Sequence, residues 1–317
     1  MKPILLVVAL PALALATWHY EGQWGSGQLY APTDVAVAPT TGYVYLVEPF
    51  LNRVQYFTPT GSFLGRWGVS GTGDGQFNMP FGVAVASTTG YVYISDMYNE
   101  RVQYFTPTGS FLGKWGQEGT GDGEFDDAGG IAVAPSTGYV YVTDVWNGDR
   151  VQYFTPTGSF LGKWGSGGTG DGEFDRPYYV AVAPVSGNVY VTDSSNDRIQ
   201  YFTPTGSFLG KWGSNGSADG EFKQPFGVTA SPDGNIIYVV DRNNNRVQYF
   251  TPTGSFLGKW GQYGEGNGQF DFPRGIELAT NGERAYVADS DNSRIQYFYD
   301  DTGVSPSSLG RIKVLFK

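Results

Sequence analysis

Apolar and polar residues alternate in short runs along most of this chain, and the runs come in groups of four. In one group they read GVAVA at 82–86, YVYIS at 91–95, RVQYFT at 101–106 and SFLGKW at 110–115. A period of two over five or six residues, bounded by Gly, Pro, Thr and Ser, predicts half-buried β-strands joined by tight turns. Long helical periodicity is missing, so the expected class is all-β.

The groups repeat. RVQYFTPTGSFLG at 53–65 returns at 101–113, 150–162 and 246–258, and at 198–210 with Ile199 in place of Val. The leading arginines Arg53, Arg101, Arg150, Arg198, Arg246 and Arg294 stand 48 residues apart, once 49. Such a period marks a solenoid or a propeller, and four antiparallel strands per unit without helices point to a propeller blade. We letter the strands a to d from the channel outward. Strand a is expected to start near Asp34, Gly82, Gly130, Tyr179, Gly227 and Gly275. The last unit has its own a, b and c but loses the pattern after RIQYFYDDTG. The segment YEGQWG at 20–25 can supply the missing strand, with Tyr20, Gly22 and Trp24 in the places of Phe63, Gly65 and Trp67. The expected fold is therefore a six-bladed β-propeller of four-stranded antiparallel blades, closed by an N-terminal strand that completes the last blade. Closure removes the sheet edges that invite aggregation. The tail SLGRIKVLFK at 308–317 faintly echoes SFLGKWG, either as a competitor for that place or as an additional outer strand. The repeated Trp67, Trp115, Trp164, Trp212 and Trp260 are expected between blades, and TPTGS has the Pro and Gly of a tight c–d turn.

The whole unit resembles the NHL repeat. It has that family's glycine-rich approach with an acidic residue and Phe, its P-x-G-[IV]-A-V opening of strand a, its [YV]-V-x-D end of strand b and its N-x-R-[IV]-Q opening of strand c. The resemblance runs over about residues 20–299 in all six copies. It implies the propeller fold and leaves activity open, because NHL propellers include RNA-binding regions, protein-interaction platforms, extracellular sensor domains and a peptide-amidating lyase. RNA-binding members use a positive face, and lyase-like members hold a catalytic metal with several histidines.

Charge and composition weigh against both branches. The chain has 30 acidic and 20 basic residues, a net charge of −10, one histidine (His19) and no cysteine. An acidic surface disfavours nucleic acid and anionic lipid. One histidine cannot build a multi-histidine metal site, and without cysteine there are no disulfides or thiolate ligands. The start, MKPILLVVALPALALAT, has Lys2, an apolar run from Ile4 to Leu13 and an Ala14-Leu15-Ala16 cleavage pattern. Residues 1–16 are therefore expected to be a signal peptide cut after Ala16, with a retained anchor as the alternative. The expected organisation is a signal peptide at 1–16, a propeller at 17–303 and a tail at 304–317. The mature protein is expected to be secreted, extracellular or periplasmic, without membrane insertion.

Candidate chemistry is sparse. Asp-x-x-Asn-x-Arg recurs as Asp96/Asn99/Arg101, Asp193/Asn196/Arg198, Asp241/Asn244/Arg246 and Asp289/Asn292/Arg294. A stretched copy gives Asp144/Asn147/Arg150, and an altered one Glu48/Asn52/Arg53. Six acids on one face suggest a cation ring, but each has its own arginine, which favours a structural role. Calcium at Asp122, Glu124 and Asp126, or at Asp171, Glu173 and Asp175, lacks EF-hand spacing, and no cofactor is expected. The GTGDGEF loops precede strands rather than helices, so they are poor phosphate cradles.

Function is sought where the copies disagree. The c–d and a–b turns are monotonous, whereas the d–a and b–c loops, which open on the other face, vary. There the chain places Phe50, Phe81, Tyr98, Trp146, Tyr178, Tyr179, Phe226 and Arg274. Aromatic rings in turns, beside Asp, Arg and Asn, suit a glycan, peptide or protein ligand, strongest over blades one to four. The same rings could instead plug the channel mouth. Two further readings are a lyase or hydrolase using Asp34 and Asp127 with Tyr179 as acid–base partner, and self-assembly through the TPTGSF turns.

Overall fold

The computed structural model describes residues 17–300. The expected signal peptide at 1–16 and the tail at 304–317 lie outside the described residues. Six four-stranded antiparallel sheets form the blades. In blade two, strand a is Pro80–Val85, b is Val92–Asp96, c is Arg101–Phe105 and d is Phe111–Trp115. Blade one begins with Asp34–Val37. Blade six combines Pro273–Leu278, Arg284–Asp289 and Arg294–Asp300 with an outer strand formed by Trp18–Trp24.

That N-terminal strand takes the expected register. Gly22 lies opposite Tyr297, as Gly65 lies opposite Tyr56. A Cβ on either glycine would come within 2.5 or 2.6 Å of the tyrosine ring, so the aromatic needs a bare backbone beside it. Trp24 packs on Phe57 of blade one at 4.5 Å, as Trp67 packs on Phe105 of blade two at 5.6 Å. The first strand thus closes the ring with the same contact that joins every other pair of blades.

The repeated letters build those joints. Trp24, Trp67, Trp115, Trp164 and Trp212 each lie under the c–d turn of the following blade, where a Cβ on Gly109 would meet Trp67 at 2.6 Å. Gly109 also holds φ at +89°, a conformation glycine adopts without a steric penalty. Tyr45, Tyr93, Tyr141, Tyr190 and Tyr286 donate their hydroxyls to Pro107, Pro156, Pro204, Pro252 and Pro59 in neighbouring turns. At the seam, the corresponding Tyr238 meets the edge of Trp18 at 5.6 Å.

The acid ring is structural. Asp96 accepts from Arg101 Nε at 2.8 Å, from Asn99 at 2.9 Å and from the Asn78 N–H at 2.7 Å. The same guanidinium donates to the carbonyls of Thr72, Gly73 and Gln76, clamping the d–a loop onto the blade. Blade one corrects the sequence alignment. Leu51 occupies the place of Asn99, while Asn52 is the left-handed residue before strand c, with φ 50°. Blade three also departs, because Asn147 turns to Asp126 instead of Asp144. Its inserted Gly148 lies so close to Asp144 that a Cβ there would meet the carboxyl at 2.3 Å.

Candidate functional site

The d–a and b–c loops share one face and are tied to each other. The Tyr98 N–H donates to Asn78 O, Ser195 to Asp175 O, Asn243 to Lys223 O and Asp291 to Asp271 O, each at 3.1 Å. At the centre of this face lies a hollow of about 240 Å³ to which all six blades contribute. Phe50, Phe81, Tyr98, Trp146, Tyr178, Phe226 and Arg274 all line it. They occupy two depths. Phe50, Tyr98 and Trp146 form a rim with exposures of 54%, 52% and 44%. Phe81 and Phe226 are buried and make a floor with Tyr178, which stacks on Phe226 at 4.5 Å and on Phe81 at 5.9 Å.

Tyr179 departs from the expected placement. It lies one layer deeper, in the hub, 4% exposed and packed against Phe81 and Phe226. Its hydroxyl reaches from blade four to blade one and donates to Thr33 O at 2.6 Å. Four of the other blades have glycine at this position (Gly82, Gly130, Gly227, Gly275), and blade one has Asp34. Small residues there leave the width that one tyrosine spans. Burial, then the nearby Asp34 charge, pushes the Tyr179 hydroxyl well above its usual range. Burial likewise raises the Asp34 carboxyl. Both Asp34 oxygens accept backbone N–H groups, from Val35 and Val83 at 2.9 Å each.

Asp127, the third residue of the catalytic reading, lies in the loop before strand a of blade three. Burial raises its carboxyl to about 6, with Asp126 adding repulsion. Its N–H donates to Glu100 at 2.6 Å, and burial raises that carboxyl to about 7. The calcium candidates are engaged separately. Asp122 pairs with Lys163 at 2.8 Å, Glu124 accepts from the Gly121 N–H at 2.8 Å, and Asp126 takes Asn147. Gln76 and Gln269 perform Glu124's role in other blades, so this loop staple needs no charge. Among the described residues no group of three or more His, Asp and Glu gathers to hold a metal ion.

Arg242 also lines the hollow with Arg274, a position the sequence reading left out of the site. It lies above Phe226 at 5.0 Å and Phe272 at 4.7 Å. Burial and then the Arg274 charge lower its pKa. The signal was present: the other blades carry Pro49, Met97, Val145, Ser194 and Ser290 directly after the strand-b acid, all uncharged and buried. An arginine at a buried small or apolar position stands out. On the opposite face a second cavity, of about 300 Å³, is lined by the a strands and includes Glu277. Burial raises that carboxyl to about 7, although Leu278 N–H and Thr229 Oγ1 donate to it.

Residues 222–250 match the NHL repeat family model. Peptidyl-glycine alpha-amidating monooxygenase of Mus musculus is 44% identical over 43 residues, which is 13% of this chain and 4% of that protein. The chain thus matches only a small part of that relative's length. Among solved structures, a catalytically inactive virginiamycin B lyase from Staphylococcus aureus, solved with quinupristin, has a TM-score of 0.61 at 15% identity. That match covers 89% of this chain and 99% of the lyase. A structural genomics protein of unknown function from Bacteroides thetaiotaomicron gives a TM-score of 0.65 at 18% identity, covering 86% of this chain and 70% of that one. At these identities the likeness is one of fold. With the matched unit recurring around a closed ring of six sheets, the chain is an NHL-repeat six-bladed β-propeller.

Proposed function

We propose that this protein is an exported, non-catalytic binding propeller that engages a peptide, glycan or protein through the rim of Phe50, Tyr98 and Trp146 and the hollow they surround. One observation carries the reading. The residues at which the repeats disagree converge on a single concave site, whereas the residues they share are occupied in holding blades together. Exposed aromatic rings around a desolvated centre are the arrangement in which a few side chains dominate binding. Two of the three groups of the catalytic reading are engaged elsewhere, since Asp34 and Tyr179 bond to backbone in the hub. The TPTGSF turns likewise serve as inter-blade joints, which supports the variable face over them as the ligand surface. Export rests on the signal-like residues 1–16.

Glycan and peptide arrays probed with wild type and Trp146→Ala test the proposal. Trp146 is 44% exposed, and its ring meets the Arg176 guanidinium at the entry to blade four at 4.4 Å; its loss removes that one surface contact, should still leave the propeller folded, and should weaken retained hits by about thirtyfold or more. Equal retention of every hit by the variant would sink the reading.

A further inference from the structure

The cations of this face differ from the arginines of the frame. Each ring arginine contacts its own carboxylate, as Arg101 does Asp96 and Arg246 does Asp241. Arg242 and Arg274 have no carboxylate oxygen within 4.0 Å among the described residues. Both Nε atoms are buried without a hydrogen-bond partner. Arg242 uses Nη1 on Gln224 and Asn243, at 3.0 Å each, and Asp291 is the acid that acts on it from farther off. Two guanidiniums that line one hollow, partly desolvated and without a carboxylate in ion-pair contact, repel each other and leave strong donors unmet. An arginine fork meets that need best with a planar two-oxygen anion, which it binds through parallel N–H···O bonds.

The rest of the hollow limits what carries the anion. Its floor is the apolar stack of Phe81, Tyr178 and Phe226, with Met97 beside it. Its volume of about 240 Å³ lies below the usual ligand-pocket range of roughly 300–1,000 Å³ and suits the end of a chain rather than its middle. Few polar groups are available for sugar hydroxyls, since Gln224 Oε1 already accepts from Arg242 and Asn243.

We propose that the hollow captures the free C-terminal carboxylate of a peptide whose last residue is apolar or aromatic: Arg242 and Arg274 take the carboxylate, the floor seats the terminal side chain, and the rim covers the residues before it. This rests on the reading of the variable face as the binding face.

Titration calorimetry on the full chain tests it with N-acetyl-Gly-Gly-Phe and N-acetyl-Gly-Gly-Leu, each as free acid and as C-terminal amide. The acids should bind at least about tenfold more tightly than the amides. Arg242→Gln and Arg274→Gln should each abolish that preference, and Arg274→Lys, which keeps the charge without the fork, should restore part of it. Thermal melts of each variant check that the ring stands. Equal binding of acid and amide overturns the inference, as does an acid preference that survives both glutamine variants. A glucuronic acid disaccharide that binds where the peptide acids do not also overturns it. In any of these cases the binding face survives if Trp146→Ala still removes array hits. Silence of both arrays and peptides removes the two readings together.

Discussion

Among the described residues, twelve non-glycine residues hold φ between 39° and 70°, and they fall into two rings of six. One ring precedes strand c (Asn52, Glu100, Asp149, Asp197, Asn245, Ser293), and the other precedes strand a (Ala31, Met79, Asp127, Arg176, Gln224, Phe272). Each side chain of the first ring accepts the backbone N–H of the second-ring residue in the next blade. Asn52 takes Met79 at 2.8 Å, Asp197 takes Gln224 at 2.7 Å, and Ser293 takes Ala31 at 3.2 Å across the seam. Asn and Asp tolerate this left-handed conformation because their short polar side chains bond locally. Asp197→Ala removes the bond to Gln224 and a second to Asn215, and places alanine where φ is 52°. It should lower unfolding free energy by about 1–3 kcal/mol in urea titrations, whereas Asp197→Asn, which keeps the acceptor, should change it little. A second residue-scale effect depends on pH. The Glu277 carboxyl is raised from its ordinary value of 4.5 to about 7 in the folded chain, chiefly by burial. An unfolded chain releases this proton first, so between those values stability falls as pH rises. Glu277→Gln should lose less melting temperature than wild type between pH 4.5 and 8, and an identical decline in both proteins would contradict the assignment.

The strands were legible because their side chains obey one rule, an alternation of period two repeated every 48 residues. The N-terminal strand was legible because Gly22 and Trp24 recur with the spacing that Tyr297 and Phe57 require. Less was readable where several elements meet. Thr33, Phe81, Gly129, Tyr178, Phe226 and Arg274 share one repeat position, yet their depths differ with what faces them across the channel. Gly129 is pressed by Val145, which would lie 2.4 Å from a Cβ, and Tyr178 of the next blade reaches over to Phe81. Tyr179 looked like a surface aromatic because the width of the channel, and hence its reach to Thr33, is a property of six blades together. The first ring of polar residues could have been found. All six positions immediately before the repeated arginine carry an acceptor (Asn52, Glu100, Asp149, Asp197, Asn245, Ser293), a constraint hidden by their differing names.

A closed ring adds a demand that no single blade contains: the last blade must borrow its outer strand from the other end of the described chain. Strand Trp18–Trp24 pairs with Arg294–Asp300 along its length, from Trp18 opposite Asp300 to Trp24 opposite Ile295. It also supplies both neighbours of the seam. Trp18 stacks on Trp260 at 5.3 Å within the last two blades, while Trp24 meets Phe57 of blade one. Trp18 is 8% exposed, and each buried indole is worth about 3–5 kcal/mol when cut back to alanine. Removing residues 17–24 therefore deletes two joints and leaves the last blade with an unpaired edge that can recruit other chains. Other blades retain their own four strands and their mutual contacts, so the expected product is an open, association-prone ring rather than a random coil. Circular dichroism should retain most of the β signal, size-exclusion chromatography should shift to oligomers, and the melt should lose its single sharp transition. A synthetic peptide of residues 17–24 supplied in excess should return the monomer, because it restores the pairing without new covalent links. A shortened chain that stays monomeric and melts as sharply as the full one would show that closure depends on something other than this strand.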